Sequence, residues 1–435
     1  MSPEKMKEAL CLAIDARGEQ IKAIGRDIFA HPELGYREQR TSDLVQRTFA
    51  ELGLEFEAGI ALTGVRAEMK GKASRARVAV LGELDGLICP QHPSSDPNTG
   101  AAHACGHNAQ IAAVLGLAMG LRDTCLIQKL WGDVVFLAVP AEEGVEAEYR
   151  RKLLSEGKIK FSGGKQNLIA QGQFDDIDLA IMFHTGGDEK KVKVGGSHNG
   201  YIKKYIRYRG REAHAGGKPH EGINALNAAL MGLMGIHAQR ETFRDEDHIR
   251  IHPIIIKGGD AVNIVPSDVR IDLQVRGANF PAVFDASRKV DRALEAGAMA
   301  IGAEVEITNF PGYMPRIDCP PLSKLFQDNA IALLGEEAVS ETLHRPSSTD
   351  AGDLSQLIPT IHPYVGGTEG SFHGKDLEFV DEELAYVTPA KLLGMTLIDL
   401  LADEAKGALA CKASFTPRYS RETYLKAWEE IVEGK

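Results

Sequence analysis

The chain is poor in cysteine and has no cysteine framework. Its six, Cys11, Cys89, Cys105, Cys125, Cys319 and Cys411, are scattered without a recurrent spacing. That excludes a disulfide-stapled scaffold and fits a reducing compartment. Positive charge is not in excess either: 50 Lys and Arg stand against 61 Asp and Glu, a net charge of −11. Nucleic acid and anionic membrane are therefore poor main partners, although local Arg and His can still attract a small anionic substrate. No apolar run approaches the ~18 residues of a membrane span. Met1-Ser2-Pro3-Glu4-Lys5 opens a charged helix and not a signal peptide, so the expected location is cytoplasmic. There is no internal repeat. No glycine-rich nucleotide fingerprint follows a strand, so no nucleotide cofactor is expected.

What is there is an ordinary globular composition, 435 residues with 43% apolar and 26% charged, enough for two domains or one elaborate one. Leu10, Ile14, Ile21, Ile24 and Ile28 recur at helical spacing, with Arg17 interrupting. Residues 77–82, 133–139 and 178–183 read as buried strands, and 109–121 as a helix that Asn108 is placed to cap. Strands alternating with helices predict an α/β fold, a mostly parallel sheet covered by helices. In such sheets sites form beyond the carboxyl ends of the strands. Glu83-Leu84-Asp85, Glu142-Glu143 and His184 all fall at such ends.

After Val194-Gly195-Gly196 the pattern changes to alternating, half-exposed strands. Strand, helix, strand, strand, helix, strand follow in order, which predicts an inserted α+β ferredoxin-like domain. The expected division is a discontinuous catalytic domain, 1–196 and 312–435, with a lid and dimerisation domain at 197–311.

His103-Ala104-Cys105-Gly106-His107-Asn108 puts a thiol and an imidazole two residues apart, at a loop-to-helix junction. Such a pair can grip one transition metal from one side. Glu142-Glu143 can divide two jobs, one carboxylate binding metal while its neighbour takes a proton from water. A bare Glu-Glu is more often a solvated loop, and a lone His184 or His373 a structural residue. The strand-end context and their joint occurrence favour the chemical reading. His214, in a glycine-rich turn, and Asn263 and Arg276 carry little signal individually.

The ordered set Glu83-Leu84-Asp85, His103 to Asn108, Ala141-Glu142-Glu143-Gly144, Phe183-His184, Gly210 to His214, Asn263-Ile264-Val265-Pro266, Arg276 and His373 resembles the aminoacylase and carboxypeptidase G superfamily of metallohydrolases. The nearest branch is that of the hippurate, auxin-conjugate and aminobenzoyl-glutamate hydrolases, where Cys-Gly-His replaces the usual Asp ligand. Asn108, with the segment Ser348 to Ser355, is most similar to the aminobenzoyl-glutamate hydrolase subunits. The resemblance implies Cys105, His107, Glu143, His184 and His373 as ligands of one or two zinc or manganese ions, and Glu142 as general base. It implies His214, Asn263 and Arg276 as residues meeting substrate from the lid, and a homodimer through that lid in which His214 serves the partner's site. Two departures stand out. Glu83 occupies the place of a metal-binding His in the classical branch, so neither it nor Asp85 is counted as a ligand. Gln110 replaces a His common in the auxin-conjugate branch.

The expected chemistry is hydrolysis of a carbon–nitrogen bond, most simply the amide of an N-acyl or aminobenzoyl amino acid. One alternative is hydrolytic deamination of an aromatic amine, as in the atypical relative 5-nitroanthranilate aminohydrolase. Gln110 and the long segment from Gln91 to Asn98 leave room for it. A second alternative is an inactive binding protein on the same scaffold.

Overall fold

Arg77–Glu83, whose residues from Val78 to Glu83 are all buried, is a central strand of a six-stranded sheet. In this computed structural model, which describes residues 1–186 and 190–432, the sheet order is Phe56–Ile60, Gly64–Met69, Asp133–Val139, Arg77–Glu83, Leu179–Ile181, Thr360–Ile361. The last four run parallel. The first two form an antiparallel hairpin that also pairs antiparallel with Asp133–Val139. Glu83 lies opposite Val139, and Val80 opposite Ile181. The three segments Glu83-Leu84-Asp85, Glu142-Glu143 and His184 therefore leave neighbouring strands at one edge of the sheet.

The helix His107–Thr124 is buried from His107 through Leu121. It begins two residues earlier than its apolar run suggests, with Gly106 as cap. Asn108 is no cap: it sits inside the helix, and its Nδ2 donates to Gly25 O at 3.1 Å and Tyr386 Oη at 3.2 Å. Gly116 and Gly120 let this helix approach its neighbours, because a Cβ at either would lie 2.6 Å from Ile21 or Ile14. Ile21 and Ile14 belong to two helices, Gly18–Ala30 and Pro3–Ala16. Arg17 thus ends one helix and starts another. Glu383–Leu401 corrects the reading that nothing approaches membrane-spanning length. It is long and apolar enough by length and composition, but 89% of its window is buried, as expected of a core helix.

The chain forms two compact units. The first is Met1–Gly196, Ile317–Leu343 and Asp353–Arg421; the second is Ser197–Arg316, His344–Gly352 and Glu422–Lys435. Three segments assigned from sequence to the catalytic part, 312–316, 344–352 and 422–435, thus group with the insertion. His344-Arg345 pairs in parallel with Ser197-His198, and the buried Trp428 meets Phe280 edge-on at 5.6 Å. Neither pairing leaves a periodic trace in the sequence.

The second unit holds an antiparallel sheet in the order Arg250–Lys257, Asp268–Gly277, Gly200–Arg209, Glu304–Pro311. Helices Ala225–Ala238 and Phe280–Ile301 complete the ferredoxin-like order. Strict alternation buries Val269, Ile271, Leu273 and Val275. It leaves Arg270, Asp272, Gln274 and Arg276 on the opposite face.

Candidate metal and catalytic site

Gly106 makes the Cys105-Gly106-His107 corner possible. Its φ is +78°, and a Cβ there would sit 2.1 Å from Thr185 Oγ1. Thr185 Oγ1 donates to Cys105 O at 3.0 Å, which ties the corner to the strand end carrying His184. Cys105 Sγ lies 3.4 Å from His184 Nε2. Nδ1–H of His107 donates to Asp85 O at 2.8 Å, and Nδ1–H of His184 to Thr185 O at 2.8 Å. Both rings therefore present Nε2 to the site. His373, at φ +63°, is anchored by its N–H to Ala104 O at 2.8 Å. Its Nε2 lies 3.3 Å from Glu143 Oε1.

The five residues read as ligands come together. Donor atoms of Cys105, His107 and His184 lie within 4.8 Å of one another, as do those of Cys105, Glu143 and His373, and those of Glu83, His107 and Glu142. Cys105 belongs to both of the first two groups, the place of a shared ligand. Glu142 stands beside the cluster in the third group.

The charges explain why a cation suits this place. Glu83, Asp85, Glu142 and Glu143 are all buried, and buried carboxylates cost several kcal/mol each unless compensated. Burial, with Glu143 beside it, pushes the Cys105 thiol well above its ordinary pKa. Burial opposes charge on His107, yet Glu83 and Cys105 outweigh it and raise its pKa well above the usual value. Burial likewise opposes charge on Glu143, but the His373 hydrogen bond and charge hold its pKa at about 2. Burial and the charge of His107 take His184 down to about 4. His107 Nε2 is buried and makes no hydrogen bond, although Glu83 Oε2 is 3.1 Å away. A thiol, imidazoles, carboxylates and an orphaned ring nitrogen form a donor set that a divalent transition metal fits.

Four residues support the site, of which Glu38, Arg150 and Lys165 escaped the sequence reading and Asp85 was named there without a role. Asp85 accepts from Glu142 N at 3.1 Å and Glu143 N at 2.9 Å. Glu38, wholly buried, accepts from Ala141 N at 2.8 Å. Arg150 donates to Ala141 O at 3.3 Å and also to Glu143 O. Three charged side chains thus hold the backbone of the turn that aims the Glu pair. Lys165, also wholly buried, donates to Glu83 Oε1 at 2.5 Å. Gln110, which stands where the auxin-conjugate branch has a His, donates to Glu83 Oε2 at 2.7 Å and accepts from Glu83 N at 3.1 Å. Only the acidic strand end around Asp85 had any sequence signal.

His214, Asn263 and Arg276 lie in the second unit, as expected. His214 forms a bridge with Ile264, and Ala215 N donates to Asn263 O at 3.0 Å, so the turn and the Asn263 segment are neighbours. His214 Nδ1 accepts from Gly216 N at 3.2 Å and Gly217 N at 3.0 Å. That places the proton of the neutral ring on Nε2, leaving His214 an exposed donor.

A profile for Peptidase family M20/M25/M40 matches residues 79–397. The chain belongs to this peptidase family. The family match agrees with the motif resemblance and makes the protein a hydrolase acting on carbon–nitrogen bonds. A mouse relative, Xaa-Arg dipeptidase, is 29% identical over 92% of this chain and 89% of its own. One of the p-aminobenzoyl-glutamate hydrolase subunits of Escherichia coli K12 is 26% identical over 66% of this chain and 64% of its own. A solved structure from Bacillus subtilis, described as a dinuclear metal-binding peptidase of the M20 family, shares the fold. Its TM-score is 0.69 at 21% identity, and it covers 89% of this chain and 99% of that one.

Proposed function

We propose that the protein hydrolyses the amide of an N-acyl or aminobenzoyl amino acid. The observation that carries this reading is the adjacency of Glu142 and Glu143, one beside and one within a thiol–imidazole donor cluster. Cys105, His107, Glu143, His184 and His373 would hold one or two zinc or manganese ions. Such an ion, when bound, polarises a carbonyl and lowers the pKa of a coordinated water toward ~7.

Glu142 would accept the proton of the attacking water as its oxygen bonds to the acyl carbon. It would then deliver that proton to the nitrogen as the C–N bond breaks. General acid–base transfer of this kind contributes about 10² to 10⁴-fold. The Nε2–H of His214 suits an oxyanion, and the Arg276 guanidinium a substrate carboxylate. Asn263 would contribute an amide to the same substrate. The partner is a small anionic molecule, with nucleic acid and membrane expected to play no part.

A homodimer through the lid is part of the proposal. Arg250–Lys257 is the edge strand of its sheet, and Ile254, Ile255 and Ile256 on it are 65%, 42% and 50% exposed. Met231 and Met234, on the helix Ala225–Ala238, are exposed as well. An open apolar edge of this kind is usually covered.

Deamination stays the alternative, and the two features that made room for it have structural partners of their own. Gln110 is bonded to Glu83; in the Gln91–Asn98 segment His92 Nε2 donates to Leu377 O at 2.9 Å, and Asp96 accepts from the N–H and hydroxyl of Thr99. The inactive-scaffold reading is opposed by the assembled base and donor positions. A panel of N-acyl amino acids, aminobenzoyl-glutamate, dipeptides ending in arginine and aminobenzoates, assayed with zinc, manganese and cobalt, tests the proposal. Release of an amino acid supports it; ammonia from an aminobenzoate, or no turnover with any metal, defeats it.

A further inference from the structure

Arg250 and Arg276 are direct partners across the lid sheet. Like charges placed opposite one another on adjacent strands repel and destabilise the pair. Three other arginines of this open face are compensated. Arg207 and Arg270 share Asp268, and Arg209 pairs with Glu306. Among the described residues, Arg250 and Arg276 have no such acid. Arg276 donates to Gln274 Oε1 at 3.1 and 2.7 Å and to Ser348 Oγ at 3.3 Å, both neutral acceptors. Arg250 donates to the carbonyl of Ile249 at 2.9 Å. Arg276 is also steadied over the Tyr201 ring, 5.2 Å from its centroid. One guanidinium is oriented by neutral groups, and the residue opposite it on the next strand carries a second.

We infer that Arg250 and Arg276 together bind two carboxylates of one small molecule, so that the amino acid released is acidic, of the aspartate or glutamate type. This rests on the proposed amide hydrolysis, in which Arg276 takes the first carboxylate; Arg250 takes the second and sets the specificity. Two adjacent guanidiniums offer planar forks to two carboxylates, and the anion removes the repulsion that the strand pairing imposes. A substrate ending in arginine meets the same two charges and is repelled.

The test compares wild type, Arg250→Gln and Arg250→Lys as full-length metal-loaded protein. With N-acetylglutamate, Arg250→Gln is expected to raise KM tenfold or more beyond any rise for N-acetylalanine. With N-acetylarginine its KM should fall. Arg250→Lys should recover part of the loss. Opposite directions for acidic and basic substrates cannot come from a general structural defect. Equal changes for all three substrates, or none, overturn the inference and leave the amide reading standing. Calorimetry with glutarate and butyrate, on the same proteins, separates the two claims. Glutarate should bind wild type tenfold or more tightly than butyrate, and Arg250→Gln should erase the difference. If no N-acyl amino acid is cleaved but this difference is found, the amide reading fails and the dicarboxylate site survives. If glutarate holds no advantage, the site is refuted.

Discussion

The backbone N–H of Ala141 donates to the carboxylate of Glu38 at 2.8 Å, which ties the turn before the Glu142-Glu143 pair to a residue more than one hundred positions earlier in the chain. Thr63 Oγ1 donates to the other Glu38 oxygen at 2.7 Å. Ala141 has φ +54°, a left-handed conformation that costs a non-glycine residue energy and persists only when its surroundings impose it. Glu38 holds the N–H of Ala141 and Arg150 its carbonyl.

This contact has a pH consequence. Burial, then the charge of Asp85, raise the Glu38 pKa from 4.5 to about 7. A carboxyl whose native pKa is raised binds its proton more tightly when folded. Its contribution to stability is full at acid pH and is lost as pH rises through about 7, at a cost of about 3 kcal/mol once ionised. Glu38→Gln keeps an acceptor for Ala141 and cannot ionise. Urea unfolding of metal-free protein at pH 5 and pH 8 should show Glu38→Gln gaining on wild type between the two. A difference that stays constant with pH would show that Glu38 does not titrate in this range.

Glu142→Gln should retain metal and lose turnover. The amide keeps the shape and cannot accept a proton, so kcat should drop by about 10² or more. Normal metal content with a fall of less than about tenfold would remove Glu142 from the role of base.

Cys105→Ser should lower metal occupancy, because a metal deprotonates a thiol far more readily than a hydroxyl. The pKa directions add a second readout. Cys105 and His107 both hold their protons above the ordinary range, and a ligand must release its proton to bind. Metal binding to wild type at pH 7 should therefore release protons and tighten as pH rises. Calorimetry in buffers of different ionisation enthalpy measures the release. A serine variant with full occupancy and unchanged proton release would exclude Cys105 as a ligand.

His214→Ala and Glu142→Gln subunits, each nearly inactive, should complement one another if His214 serves the partner's site. Half of randomly exchanged dimers are mixed, and half of their sites are whole, so activity should return to about a quarter of wild type under closed two-fold symmetry. Native mass spectrometry can verify exchange. Verified exchange without recovery would place His214 in its own subunit's service or in none.

The sequence by itself determined the buried strands 77–82 and 133–139, the ferredoxin-like order of the insertion and the ordered set from Cys105 to His373. Those features are written locally, in apolar periodicity and in short runs such as Cys105-Gly106-His107. Only the tertiary structure decided that Asn108 is a buried tether and not a cap, that Gln110 answers Glu83, and that Glu38, Asp85 and Arg150 hold the turn at 141–143. It also decided that Arg250 stands opposite Arg276. A buried charge is recognisable only by its partner, and these partners lie far apart along the chain. Their pairing follows from sheet order and register, which no local pattern of residues records.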